Sequence, residues 1–252
     1  MLQAAAARRA RCAAASIDPP LQFLRARLPP DTGLAATLIT GRPAAVFAAE
    51  ERLIARAVHK RRNEFRAGRA AAREALAQIG SAPAAILARP QRDPIWPAGF
   101  IGSITHCEQL ALALAVTAPA QMYDAVGIDL EDDSALPQHL SATVCRADER
   151  PQRRALAQFG VDHAKLCFVA KEAVFKAIFP RRRTPLQFAQ LRLSFHLPDR
   201  RFRVDIADAP GAGLTRLPGA GLFVCDGGVV MAAFVMRHGR ASGRHLKFAV
   251  GV

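Results

Sequence analysis

The chain has 252 residues, of which 51% are hydrophobic and 22% charged, which excludes a disordered polymer and suits one large domain or two small ones. No apolar run approaches the ~20 residues that cross a bilayer, and five cysteines without a C-x-x-C pair point to a reducing, cytoplasmic setting. A formal net charge of +14 asks for an anionic partner, and nucleic acid, a polyphosphate ligand or an acidic protein would each serve.

Residues 1–16 are basic and Ala-rich, but arginines interrupt the apolar part, so this is no secretory signal; a loosely ordered start is expected for residues 1–18. Pro19–Pro43 reads as loop, with Leu21, Phe23, Leu24 and Leu34 packing on the body. From Pro43 the pattern turns helical. Phe47, Leu53, Ile54 and Val58 recur at helical spacing, with Glu50 and Glu51 early and His59, Lys60 and Arg61 late. A second helix is predicted over Arg62–Ile79, buried through Phe65, Ala72, Leu76 and Ile79. Along it Arg62, Arg66, Arg69 and Arg73 form a stripe, in which Arg66 and Arg73 read as a solvated face relieved by Glu64 and Glu74. Gly68, costly inside a helix by ~1 kcal/mol, marks a close approach beside Arg69.

Pro83–Gly99 reads as a loop holding Arg92 and the single tryptophan, Trp96. Gly102-Ser103-Ile104-Thr105-His106-Cys107 follows, ahead of a strand over Leu110–Val116. A hydroxyl and an imidazole there could meet a phosphate, although a lone His106 is as readily structural. Ala118–Asp124 is short and turn-like, a boundary between an N-terminal part (19–120) and a C-terminal part (121–252). Next, Val126, Ile128 and Leu130 alternate with Gly127, Asp129 and Glu131, the period of a half-buried strand. Asp129 and Glu131 then leave one face about 7 Å apart, able to converge on a cation or simply to form a polar edge.

Leu136–Gly160 is mixed, with Arg146, Arg150, Arg153 and Arg154 clustered. A strong helix spans Asp162–Phe179 and should stop at Pro180. Phe168, Glu172, Phe175 and Phe179 share one side of it, and Glu172 and Lys176 are i,i+4 neighbours. Such a pair is either a surface ion pair worth ~0.3–0.5 kcal/mol or, because Glu172 lies among phenylalanines, a half-buried group wanting a partner. The tail reads as strands over Leu191–Leu197, Arg201–Ile206, Leu222–Cys225 and Val229–Val235, the last two joined at Asp226-Gly227-Gly228. Gly211, Gly213, Gly219 and Gly221 read as loop. Cys107, Cys145, Cys167 and Cys225 read as small apolar fillers. A faint echo between Cys107–Val116 and Cys225–Phe234 suggests a duplicated α+β unit.

Three pieces in order, G-S-I-T-H, G-I-D-L-E and F-x-x-K-E-x-x-x-K at Phe168–Lys176, resemble the 4′-phosphopantetheinyl transferases. Arg62-x-Glu64-Phe65-x-x-Gly68-Arg69 and Pro94-x-Trp96-Pro97-x-Gly99 are similar to the branch typified by enterobactin synthetase component D and the surfactin-type enzymes. The resemblance implies an α+β fold of two similar subdomains in one chain, expected to be a monomer, with the active site in the cleft between them. It implies transfer of phosphopantetheine from coenzyme A to a serine of an apo acyl or peptidyl carrier protein, with release of adenosine 3′,5′-bisphosphate. By motif, Asp129, Glu131 and Glu172 would hold Mg²⁺, Thr105, His106 and Lys176 would contact coenzyme A phosphates, and Arg62, Arg69 and Arg92 would surround its 3′-phosphate. Val169 departs from the family pattern, where a small polar residue is common.

The chemistry of the residues agrees. Attack on a pyrophosphate needs a hard cation held by oxygen ligands, a base for the serine, for which Glu172 is nearest, and a charge to offset the leaving group, for which Lys176 is suited. Two other classes remain: a nucleic-acid-binding module, against which the three carboxylates and an aromatic content of 6% weigh, and a metal-dependent phosphohydrolase, which lacks a His/Asp cluster for a second metal.

Overall fold

The computed structural model describes residues 17–39, 46–118, 123–207 and 212–237. The leading segment 1–16, Gly211 and most of the turn-like boundary (119–122) lie outside the described residues.

Helix α1 (Asp18–Arg25) and strand β1 (Thr32–Leu38) occupy the stretch that reads as loop. Pro19 and Pro20 fall in the first turn of α1, where backbone N–H groups have no intrahelical acceptor and a fixed φ helps rather than hinders. Leu21, Leu24 and Leu34 are buried as expected.

The two helices expected between Pro43 and Ile79 are present, but the first is shorter and their boundary is displaced. Helix α2 (Ala48–Leu53) ends within two turns, Leu53 and Val58 are exposed, and His59–Arg61 open helix α3 (His59–Ala77) instead. The brevity of α2 serves its glutamates. Glu51 takes a bidentate pair from Arg66, at 2.9 and 2.6 Å. Glu50, buried, accepts from Arg73 Nη1 and from the Ile86 backbone N–H. Arg66 and Arg73 are therefore not a solvated face: their partners are Glu51 and Glu50, which come from another helix, not Glu64 and Glu74 on their own.

Between α3 and the next long strand, β2 (Leu87–Ala88) and β3 (Pro94–Ile95) form a small hairpin within the predicted loop. Strand β4 (Phe100–His106) takes up the G-S-I-T-H motif itself and pairs with β5 (Leu110–Thr117), which pairs with β1, all antiparallel. The Leu-Ala alternation of β5 explains the layering. Leu110, Leu112, Leu114 and Val116 point into one core, while Ala113 and Ala115 meet Ala71, Ala72 and Ala75 of α3, where only methyl groups fit.

The second half repeats the theme. Strand β6 (Tyr123–Asp132) pairs with β11 (Val229–Arg237), followed by β10 (Gly219–Asp226), β8 (Arg201–Ala207) and β7 (Leu191–His196), with β9 (Leu214–Arg216) beside β8. Gly219 and Gly221 thus belong to a strand rather than a loop. The β10–β11 turn falls at Gly227-Gly228, both with positive φ, as the sequence predicts. The connection after β6 holds short helices α4 (Gln138–Val144) and α5 (Arg153–Gln158) and a 3₁₀ turn over Ala147–Gln152.

Helix α6 (His163–Arg182) is capped by Asp162, whose carboxylate accepts from Lys165 N at 2.7 Å. It runs through Pro180 and ends at Arg183, in left-handed conformation with φ 57°. Pro180 removes one helical N–H donor, yet the turn continues past it, and Arg183 N still reaches Phe179 O at 2.9 Å.

Each half sets its long helix directly on a glycine. A Cβ on Gly33 of β1 would lie 1.8 Å from Ala75 O of α3, and one on Gly127 of β6 would lie 1.9 Å from Ala173 O of α6. The core side of both sheets is shared: Leu34, Leu112 and Leu114 join Ile128, Leu130 and Met231 in one cluster, closed by Leu21 and Leu24 of α1. The mixture of helices with antiparallel sheets is an α+β fold.

Candidate active site

The sheets meet where β4 runs beside β6. Among the described residues no backbone ladder joins these strands; side chains do. Ser103 Oγ accepts from Ile128 N at 3.1 Å, and Thr105 Oγ1 donates to Asp129 Oδ1 at 2.7 Å. Alternation on β6 sends Val126, Ile128 and Leu130 into the core, so Asp129 and Glu131 emerge on the opposite face, toward α6.

There they meet Glu172. Glu131 is pushed up to about 7, first by burial and then by the Asp129 carboxylate, with Lys165 opposing. Burial, followed by Asp129, also raises Glu172 above the usual carboxylate range. Lys176 does not bridge to Glu172. Its ammonium reaches across to Asp129 Oδ1 at 2.5 Å and Thr105 Oγ1 at 2.9 Å. The other Asp129 oxygen, Oδ2, is buried without a hydrogen-bond partner. Three neighbouring carboxylates, one with an orphaned oxygen, face the ammonium of Lys176, with Lys165 acting on Glu131, and this donor set of hard oxygens fits a divalent cation of the magnesium type.

These groups line a cleft of about 330 Å³. Its opposite wall comes from α3, at Arg61, Glu64, Phe65, Gly68 and Arg69, with His106 from the end of β4 and Arg92 from the β2–β3 turn. Gly68 is the close approach expected of it, 3.0 Å from Ile104 Cγ2 for a hypothetical Cβ. Arg69 is buried, donates to Ile86 O at 2.7 Å and lies over the Phe65 ring. Burial pulls its guanidinium down to about 10, still charged at neutral pH. Burial likewise lowers His106, against the pull of Glu64. A second cavity of about 580 Å³, with Trp96, Phe175 and Phe179 in its wall, shares Arg92, Pro94, Ile104 and Lys176 with the first.

Of the residues singled out in the sequence, Asp129, Glu131, Glu172, Lys176, Thr105, His106, Arg69 and Arg92 come together in this cleft. Arg62 does not: its guanidinium turns back to Ala57 O at 2.9 Å and to Ala55 O. Its neighbour Arg61 takes the lining position, with Nη1 3.1 Å from His106 Nε2 and 3.5 Å from Glu64. Sequence reasoning passed over Arg61 and Glu64, although Arg61, Glu64, Gly68 step by three and four and so share the face of the informative glycine.

Lys171, the first lysine of the K-E-x-x-x-K motif, points the other way. It is fully buried, donating to Glu149 at 2.9 Å, Val144 O at 2.8 Å and Phe188 O at 3.2 Å. Glu149 in turn accepts from Leu193 N and Arg146 N. This pair fastens the α4–α5 connection to the back of α6. Removing either partner would strand a buried charge, at a cost of ~3–5 kcal/mol.

Comparison with known proteins agrees with this geometry. A family described as the 4′-phosphopantetheinyl transferase N-terminal domain matches residues 49–116, and the 4′-phosphopantetheinyl transferase superfamily matches residues 125–214. The 4′-phosphopantetheinyl transferase PptT of Mycobacterium tuberculosis is 34% identical over 195 residues, covering 74% of this chain and 84% of the relative. The 4′-phosphopantetheinyl transferase Npt of Nocardia iowensis is 36% identical over 151 residues, 60% of this chain and 67% of the relative. Enterobactin synthase component D of Escherichia coli K12 is 34% identical over 123 residues, 47% and 55% of the two chains. With both halves matched in order and the first of these relatives covered over most of its length, the chain belongs to the 4′-phosphopantetheinyl transferase superfamily.

Proposed function

We propose that this protein transfers the 4′-phosphopantetheine group of coenzyme A to a serine of an apo carrier protein, with Mg²⁺, and releases adenosine 3′,5′-bisphosphate. The observation that carries the reading is the convergence of Asp129, Glu131 and Glu172, with the orphaned Asp129 Oδ2, opposite a wall of Arg61, Arg69, Arg92 and His106. A polyanionic cosubstrate with a divalent cation matches both walls at once.

On this reading Asp129, Glu131 and Glu172 hold Mg²⁺, which when bound offsets the charge of the pyrophosphate and polarises it. The cationic wall positions the nucleotide end of coenzyme A, Arg69 as a buried charge already fixed by Ile86 O and Arg92 from its turn. Glu172, more basic than an exposed carboxylate because of its burial, accepts the proton of the carrier serine hydroxyl. The serine oxygen attacks the β-phosphorus, and the bond to the bridging oxygen breaks. Lys176, held between Asp129 and Thr105, lies where negative charge gathers on the leaving bisphosphate.

The +14 charge suits an acidic carrier; ion pairs such as Arg66–Glu51, Arg73–Glu50 and Arg192–Asp205 leave that excess unchanged but engage individual guanidinium groups. That engagement also weakens the case for a free guanidinium comb on nucleic acid. One chain supplies both walls, in support of a monomer of two subdomains, 19–120 and 121–252. No helix among the described residues is long and apolar enough to cross a membrane, and their four cysteines are free, which accords with the cytoplasmic reading.

The test is to incubate the protein with Mg²⁺, coenzyme A and an apo carrier and to weigh the carrier. A gain of one phosphopantetheine, absent with chelator, is expected. An unmodified carrier together with sequence-selective DNA binding at physiological salt would refute the reading.

A further inference from the structure

Away from the cleft, at the start of α6, a second group of ligating side chains meets. His163 and Cys167 are four residues apart on the first turns of the helix and so share a face. Cys145, the residue that ends α4, comes to the same point. Cys145 Sγ lies 3.7 Å from His163 Nδ1, and Cys167 Sγ lies 3.5 Å from His163 Nε2. One ligand atom from each of the three falls within 4.8 Å of the others. Cys167 is fully buried and His163 is 6% exposed, while Cys145 is half-buried and gives the group access to solvent. The reading of Cys145 and Cys167 as apolar fillers omits this imidazole between them.

We propose that Cys145, His163 and Cys167 form a second cation site, built for a thiolate-preferring divalent ion of the zinc type and separate from the carboxylate cleft.

Donor chemistry, charge and rigidity support it. Two thiolates and an imidazole, with no carboxylate or carbonyl in the set, select a borderline-soft ion over Mg²⁺ or Ca²⁺. Two thiolates also cancel the charge of a divalent ion, which removes the main penalty for burying it. Metal–sulfur and metal–nitrogen bonds of ~2.3 and ~2.0–2.1 Å give a tetrahedral N···S edge of about 3.5 Å, close to the separations present. The two contacts use different ring nitrogens, so binding a single ion requires one sulfur to turn and share a nitrogen with the other. The pieces are already held in place. Asp162 caps the helix turn bearing His163, and Lys171 pins Val144 O, the carbonyl just before Cys145, at 2.8 Å. Three protein ligands leave the fourth position to water on the exposed side. An ion here would tie the end of α4 to α6, with its helix ligands about 8–13 Å along the axis from Glu172.

The full chain, reduced and stripped of metal by chelation, is titrated with Co²⁺. One equivalent should bind with a near-ultraviolet thiolate charge-transfer band and the visible bands of a tetrahedral ion. Zn²⁺ should bleach both, and excess Mg²⁺ should leave them unchanged. Cys145→Ser and Cys167→Ser should each lose the band and weaken binding by more than the ~10–100-fold that an outer-shell partner costs. Cys225→Ser should retain it. The carboxylate cleft contains no sulfur and cannot produce this band, and carrier modification by Cys145→Ser should stay at the wild-type level, so this proposal and the transferase reading fail separately. Absence of the band in folded, reduced protein would overturn the proposal, as would its survival in Cys145→Ser. A Cys145–Cys167 disulfide in the protein as isolated, seen as blocked thiols and the loss of two hydrogens, would overturn it too.

Discussion

Replacing Gly127 with alanine tests how the helix bearing Glu172 and Lys176 is positioned. The new Cβ would lie 1.9 Å from Ala173 O and 2.7 Å from Ala177 N, both backbone atoms of α6, so no side-chain rotation makes room. Ordinary contact begins at 3.4 Å, and α6 must therefore withdraw by about 1.5 Å, the difference of 3.4 and 1.9 Å. Overpacking of this kind costs ~1–3 kcal/mol, and the upper end applies where the obstacle is backbone. Glu172 precedes Ala173, and Lys176 precedes Ala177, so both groups ride on the segment that moves. Displacements of ~1 Å can cost ~10²-fold in rate, and single-turnover carrier modification should fall by about that factor. Gly33→Ala is the matched control, with a Cβ 1.8 Å from Ala75 O of α3. It should lose comparable stability but displace the wall bearing Arg69, raising the KM for coenzyme A more than it slows the saturated step. Urea melts and single-turnover rates on both variants decide the matter. A wild-type rate in Gly127→Ala, or equal rate losses in the two, would show that the seating of α6 on β6 does not set the chemistry.

Three further outcomes follow from the site. Glu131 is raised to about 7 from an ordinary 4.5, so its contribution to stability is complete below about 4.5 and lost as pH rises through about 7. Discounted for partial exposure this is ~1–2 kcal/mol at most, so chelated protein should melt lower at pH 8 than at pH 5 by more than Glu131→Gln does, and Mg²⁺ should narrow the gap; identical profiles for the two proteins would contradict the crowding of carboxylates. Glu172→Gln should collapse transfer by several orders of magnitude with coenzyme A still bound, whereas Lys176→Ala should slow it by ~10²–10³-fold and Lys176→Arg recover only part; wild-type single-turnover rates in both Glu172→Gln and Lys176→Ala would make α6 merely structural. Arg69→Ala should weaken coenzyme A binding and reduce its salt dependence, while Arg73→Ala should leave binding alone and instead cost stability, because Glu50 then lies buried with only the Ile86 N–H; equal effects on binding would mean that the stripe acts as a diffuse field.

What the sequence showed and what it hid have physical reasons. The acidic strand was legible because its leucine-core face is apolar at every second position while the face under α6 carries Gly127, Asp129 and Glu131, and α6 because Phe168, Glu172, Phe175 and Phe179 follow the helical repeat. Strand β4 was hidden because its Ser103 and Thr105 are polar for the sake of the seam, which removes the apolar signal of a strand. Helix α1 was hidden because prolines that break a helix interior are harmless in its first turn. The boundary between α2 and α3 was hidden because Glu50 and Glu51 followed by the basic residues His59–Arg61 resemble opposite ends of one macrodipole. In the structure the glutamates face across to arginines, and the basic residues begin a new helix. Partner choice across elements was invisible at this level: Lys176 could be paired with Glu172 by spacing, but only the fold reveals Asp129 as the nearer carboxylate.

The seam between β4 and β6 has a mechanical consequence. Among the described residues no backbone ladder crosses it, so the two halves are joined by the shared leucine cluster and by the Thr105–Asp129–Lys176 knot rather than by a continuous sheet. One bank of the cleft is built mainly of guanidinium groups and the other of carboxylates. A phosphorylated ligand carrying its own cation would bond to both banks and so act as a further crosslink between the halves.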